Sequence, residues 1–283
     1  MYASLMADLI GIDAPPLGCI ALAGRHGFTG IDLRINRQSA QIETAGISTI
    51  RDAMHAAQVK PGYCSLLPHN LSVDEDTWNQ TMRDLPKLAG FAQALGYTRT
   101  STVILPFHET LPFDAAFALH VARVREAMNV LTDFDLRLGL EYVSPITRRA
   151  GRPFAFVHNL RGALELFKAC DVPNVGLMLD TFHWHCAGET REDLLPLTAE
   201  QIVVVHVNDT PRKPVEQQVV TERELPGETG VIDLTTFMDT LRTIGYDGPI
   251  TAEPTHARWL TADANAACGK TATAIRSFLE ARC

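Results

Sequence analysis

Apolar, β-rich runs alternate with amphipathic helical stretches along the whole chain, and that alternation predicts an architecture before any chemistry is considered. Strands are predicted at residues 2–9, 30–35, 62–67, 100–105, 136–143, 175–180, 202–207 and 250–253. Between them the apolar period lengthens from two to three or four. Trp78, Met82, Leu85, Leu88, Ala92 and Leu95 make one helical stripe, opened by a capping box at Ser72 and Glu75 and kinked at Pro86. Phe117, Val121, Val124, Met128 and Leu131 make a second. Leu234, Phe237, Leu241 and Ile244 make a third, closed by Gly245.

Strand followed by helix, about eight times over, implies parallel strands joined by helical crossovers. Eight such units fit a single-domain (β/α)8 TIM barrel spanning residues 1–283, a fold that typically takes about 250 residues. An open doubly wound sheet is the alternative. It would call for a glycine-rich phosphate loop after the first strand, and neither GxGxxG nor GxxxxGK[ST] occurs. No linker-like stretch divides the chain. Residues 210–232 form the longest segment without periodicity, and barrels carry function on such loops.

Composition narrows the function classes. The chain has 283 residues, 46% hydrophobic and 20% charged, with a net charge of −8. That balance argues against a nucleic-acid surface. No apolar run approaches the roughly 20 residues that cross a bilayer, and the start shows no secretory pattern. The six scattered cysteines, Cys19, Cys64, Cys170, Cys186, Cys268 and Cys283, contain no CxxC pair. They read as reduced thiols of a cytoplasmic protein.

Four consecutive predicted strands end in a possible metal ligand: Glu141 in LRLGLEYV, Asp180 in VGLMLD, His206 in IVVVHV and Glu253 in ITAEP. In a parallel barrel all C-terminal strand ends open onto one face, so these residues, 39, 26 and 47 apart, converge there. Three carboxylates in a poorly solvated pocket repel one another unless a cation sits between them. Three carboxylates with one imidazole suit Mn²⁺, Mg²⁺, Co²⁺ or Zn²⁺. A single acid at the end of a buried strand is more often a helix cap or an ion-pair partner than a ligand, but four in successive strands are harder to explain that way.

The succession LEYVSP, VGLMLDTFHWHCAG, VVHVND, LPGETGVIDL and ITAEP resembles the xylose-isomerase-like TIM-barrel superfamily, within it the sugar-phosphate isomerase/epimerase group that includes inosose isomerases and ketose 3-epimerases. The resemblance implies one divalent ion, Mn²⁺ first among the candidates, held by Glu141, Asp180, His206 and Glu253. It implies that Glu141 and Glu253 exchange a proton beside the carbonyl of a sugar or cyclitol through an enediolate. His183, three residues after Asp180, takes the place of a substrate-contacting histidine, and Arg212, six after His206, that of a substrate-anchoring arginine. Trp184 is a candidate floor for a sugar ring. Thr147 stands where the ketose 3-epimerases have a second glutamate, a departure from that reading.

Arg148, Arg149 and Arg152 read either as an anion grip at the barrel mouth or as a solvated loop. His256, Arg258 and Trp259 follow the last strand and are candidates for the rim. His69 and His108 follow strands three and four, where related enzymes have additional metal ligands, and are candidates for substrate contact. The same scaffold also supports lyases of the inosose dehydratase or C-glycoside deglycosidase type, in which loss of a β-substituent follows proton removal. DNA repair on this scaffold is disfavoured, because residues 210–232 contain no histidine and the chain is acidic. A non-catalytic binding protein would not need four converging ligands. The dimers and tetramers of the superfamily leave a homo-oligomer open.

Overall fold

Eight short strands of mostly apolar and β-branched residues are buried on both faces, and each pairs with parallel neighbours. In the computed structural model, which describes residues 1–260 and 263–280, they are β1 (Tyr2–Met6), β2 (Gly30–Leu33), β3 (Lys60–Cys64), β4 (Arg99–Ile104), β5 (Arg137–Tyr142), β6 (Val175–Asp180), β7 (Ile202–Val207) and β8 (Pro249–Ala252). They follow one another around a closed barrel in chain order, with β8 pairing back onto β1. Outward residues such as Leu138, Leu177, Leu179 and Val205 pack against the helices in the main apolar core. A smaller apolar cluster of Met6, Tyr63, Met178, Val203 and Val204 is separate from it.

Side chains alternate along each strand, so residues two apart share a face. Gly139 and Glu141 share one face of β5, and Met178 and Asp180 share one face of β6. Thr251 in β8 and Glu253 just beyond it share another. The register sets Asp180 beside His206 and Glu141 beside Val103. A register shift where β6 meets β7 moves the pairing from Leu177–Ile202 to Met178–Val204, which brings His206 level with Asp180.

Low in the barrel, Asp32 is buried in a complete ring of donors. Its Oδ1 accepts from Ser4 Oγ at 2.6 Å and from the Tyr63 N–H at 2.8 Å, and its Oδ2 accepts from Thr251 Oγ1 at 2.7 Å. Gly62 is required at this level, since a Cβ there would lie 2.0 Å from Asp32 Oδ1.

Several local expectations change. The first strand stops at Met6, where the chain turns into a short 3-10 segment, Ala7–Ile10, rather than running to residue 9. The third starts at Lys60 and ends at Cys64. The helix Glu75–Leu95 is capped by Asp74, whose carboxylate accepts from the Thr77 N–H at 2.8 Å, so Ser72 and Glu75 are not its capping box. It continues through Pro86. The helix Leu234–Ile244 does end at Gly245, in the left-handed conformation. Cys19, Cys64, Cys170, Cys186 and Cys268 are free and buried, and Cys283 lies outside the described residues. Among the described residues, no helix is long and apolar enough to cross a membrane.

Candidate metal centre

The ends of β5, β6 and β7 and the residue after β8 bring Glu141, Asp180, His206 and Glu253 together, with one ligand atom from each within 4.8 Å of the others. Asp180 is fixed first. Its Oδ1 caps the helix Thr181–Ala187, accepting from the N–H groups of Phe182 and His183 at 2.7 and 3.1 Å, and its Oδ2 accepts from Asn208 Nδ2 at 2.9 Å. The cap and the metal-ligand readings of this aspartate are therefore compatible. His206 is oriented from both nitrogens, with Tyr63 Oη 2.9 Å from Nε2 and Glu253 Oε2 2.9 Å from Nδ1. An imidazole whose second nitrogen is fixed in this way is pre-set to coordinate.

Glu141 is the exception. Its Oε1 is buried and has no hydrogen-bond partner, and His183 Nε2 lies 3.9 Å from it. Burial, followed by the charges of Glu253 and Asp180, pushes its carboxyl well above the usual range. Burial would raise Glu253 as well, but the Arg223 guanidinium and His206 overcome it and hold that carboxyl below the usual range. An unpartnered buried acceptor beside two further carboxylates is expensive unless something else fills the space. Three hard oxygen donors and one imidazole fit a small divalent cation.

The guanidinium in this site comes from Arg223. Its Nη1 donates to Glu253 Oε2 at 2.9 Å and Asp180 Oδ2 at 3.2 Å, and the group lies over the Phe182 ring. The loop that carries it is built around Asp209, whose carboxylate accepts from the backbone N–H groups of Thr210, Thr229, Gly230, Val231 and Ile232. Asp209 also pairs with Glu224 by reciprocal backbone bonds, and the Arg223 carbonyl accepts from the N–H groups of Thr255 and His256. Arg258 and Trp259, predicted at the rim, both donate to Glu224 Oε2 and so brace this loop from β8.

Arg212 is placed elsewhere. It is exposed and donates to the Thr229 carbonyl at 2.5 Å, so the spacing from His206 does not deliver it to the site. Trp184 is also placed elsewhere: it is buried against Phe237 with Nε1 directed at the Thr190 carbonyl, because it lies on the core side of its helix. His183 does reach the cluster, with Nδ1 accepting from the Ser144 N–H and burial lowering its pKa to about 4. His108 caps the turn at Thr110 and Leu111. Arg148 and Arg152 stack over Phe107, Arg152 pairs with Glu109, and Arg149 donates to the Ser144 carbonyl. Arg223 and Tyr63 escape sequence reasoning, since Arg223 lies in the aperiodic loop and Tyr63 near the start of the predicted strand 62–67, whereas the strand observed ends at Cys64. The one local signal for Arg223 is its position just before Glu-Leu-Pro-Gly in the aperiodic loop.

Fold and site together define a parallel (β/α)8 barrel with a carboxylate-rich centre suited to a divalent cation. A family profile described as xylose isomerase-like TIM barrel matches residues 20–278, and the chain belongs to that family. It is 23% identical over 230 residues to an inosose isomerase of Bacillus licheniformis, covering 81% of this chain and 80% of that one. The solved structure of a xylose isomerase domain protein from Alicyclobacillus acidocaldarius superposes with a TM-score of 0.89 at 28% identity, over 99% of this chain and 98% of that one. A structure described as an IOLI protein with a binding zinc atom superposes with a TM-score of 0.83 at 20% identity, with 99% and 98% covered.

Proposed function

We propose that this chain is a divalent-metal-dependent isomerase or epimerase of a keto-sugar or inosose, moving a proton between Glu141 and Glu253. The observation that carries the reading is the convergence of Glu141, Asp180, His206 and Glu253 around a buried, unpartnered Glu141 oxygen. Family membership and the inosose isomerase among the relatives support the reaction class. The zinc named with the IOLI structure supports a metal of this kind, and Mn²⁺ is the ion proposed here.

A C–H beside a ketone is a weak acid. Glu141, Asp180, His206 and Glu253 would hold the cation, which supplies positive charge next to the substrate's carbonyl and hydroxyl oxygens. Glu141 on β5 and Glu253 just after β8 are separated by β6 and β7, so one carboxylate takes the proton and the other returns it. Arg223 neutralises part of the carboxylate charge and fixes Glu253. His183, kept neutral by burial, presents Nε2 toward Glu141 and offers a hydrogen bond to a substrate hydroxyl.

The test is proton NMR in D₂O on the Mn²⁺-loaded protein with ketoses, inososes and 3-keto-glycosides. Deuterium beside the carbonyl with an accumulating isomer is the expected result. Deuterium with loss of water or aglycone would move the chain to the lyases. Thr147, tied to the Gln218 carbonyl at 2.5 Å, is occupied within the loop.

A further inference from the structure

Two arginines, Arg34 and Arg37, stand beside the metal centre. Arg34 follows Asp32 by two residues and so rises on the same inward side, one layer higher. Its Nε donates to Asp8 Oδ2 at 2.7 Å and its Nη1 to Ser65 Oγ at 3.1 Å, while Nη2 has no acceptor among the described residues. Arg37, on the first turn of the helix Ile35–Ala45, lies 4.0 Å from the same Asp8 oxygen with its side chain 71% exposed. Two guanidiniums thus share one carboxylate. Asn36 between them donates Nδ2 to the Leu67 carbonyl at 2.8 Å and buries an Oδ1 that has no donor.

These residues stand at a junction. Arg34 and Arg37 line the cavity of about 90 Å³ that contains Glu141, His206 and Glu253, and also line an adjoining cavity of about 160 Å³ that reaches Asp8 and Ile12. His69, on the wall of the first cavity, has its imidazole lowered by burial and by Arg34, Arg37 and Arg148, against the opposing pull of Glu253. Arg34 and Arg37 are common to both linings, whereas Asp8, Asp13 and Asp32 line only the second cavity and Glu141 and Glu253 only the first. A partly exposed ion pair stabilises a fold little, so stability gives scant reason for two arginines here. Guanidiniums also donate to neutral hydroxyls, but their planar fork matches the paired oxygens of a carboxylate or phosphate.

We propose that Arg34 and Arg37 form an anion subsite, and that the substrate carries a carboxylate or phosphate at the end remote from its reacting carbonyl. The inference rests on the isomerase/epimerase reading only for which end of the substrate faces the metal centre.

Titration calorimetry on the Mn²⁺-loaded protein tests it with two matched pairs, fructose 6-phosphate against fructose and 5-ketogluconate against L-sorbose. The charged member of at least one pair should bind at least about tenfold more tightly, or about 1.4 kcal/mol. The advantage should shrink with added salt, fall below about threefold in Arg34→Gln and Arg37→Gln, and partly survive in Arg34→Lys. The pair that shows it identifies carboxylate or phosphate. Metal content is measured in each variant, so that a lost ion is not mistaken for a lost subsite. Equal affinity within both pairs, no binding by either charged sugar, or an advantage that survives both glutamine variants with metal in place would overturn the subsite. Deuterium exchange in the same samples separates the two readings. Exchange without charge preference defeats the subsite alone, and charge preference without exchange defeats the isomerase reading alone.

Discussion

Asp32 and Glu141 are both buried carboxylates in the same barrel, yet their surroundings are opposite. Asp32, low in the barrel, has both oxygens filled by Ser4, Thr251 and the Tyr63 N–H, and Gly62 leaves it room. Glu141, at the mouth, keeps one buried oxygen with no partner and faces two further carboxylates. The first is a closed structural pin linking β1, β2, β3 and β8. The second is incomplete within the protein, as the proposed metal centre requires. Satisfied hydrogen-bond capacity, more than burial or charge, separates a carboxylate that holds the fold from one that works.

Removal of divalent cations bears hardest on this contrast. Chelation with EDTA should abolish turnover, and Mn²⁺ or Co²⁺ should restore it together with a higher Tm, because a ligand that binds only the folded state stabilises it. Activity that persists in fully stripped protein would put Glu141 in the same class as Asp32. Next in size, Glu253→Gln should reduce turnover by about 10²- to 10⁴-fold, the usual contribution of a positioned proton-transfer group. Circular dichroism should show the fold retained, and turnover close to that of the unsubstituted protein would remove Glu253 from proton transfer.

Asp32→Ala should act in the other sense. Leaving its donors unpaired should cost about 3 kcal/mol in denaturant unfolding, while metal content stays near one ion per chain. A stable variant lacking metal would reverse the roles of the two carboxylates.

Glu189 supplies an intermediate case and the smallest effect. It accepts from the Tyr142 hydroxyl at 2.5 Å and the Leu160 N–H at 2.6 Å, and burial pushes its carboxyl up to about 7. A carboxyl raised above its unfolded value favours folding most below the unfolded pKa, and that advantage is lost as pH rises through the folded pKa. Scanning calorimetry should therefore show the natural chain losing Tm relative to Glu189→Gln between about pH 4.5 and 7. Parallel pH profiles would show that Glu189 carries no such linkage.

Much of this was legible in the residues. The strands ending at Asp180 and Val207 fall where the apolar runs place them, because a doubly buried strand must be apolar throughout. The metal-type quartet was legible for a related reason. A charged residue closing such a run has few places to go other than the mouth of a barrel. The loop chemistry was not legible. Spacing from His206 pointed to Arg212, whereas the chain between residues 209 and 232 folds back on the Asp209 carboxylate and delivers Arg223. Trp184 adjoins His183 in sequence, but neighbouring helical residues point about 100° apart, and the indole turns into the core.

What the sequence determined alone is what periodicity and composition can carry: eight alternating units, a parallel barrel, and four ligand-type residues at successive strand ends. Tertiary structure alone decided which polar groups find partners. The ring around Asp32, the unpartnered Glu141 oxygen, the reach of Arg223 and the junction at Arg34 and Arg37 all join residues from different strands and loops. Strand spacing and register place such groups to within an ångström, and hydrogen bonding is decided at that scale, below the resolution of any pattern read along a chain.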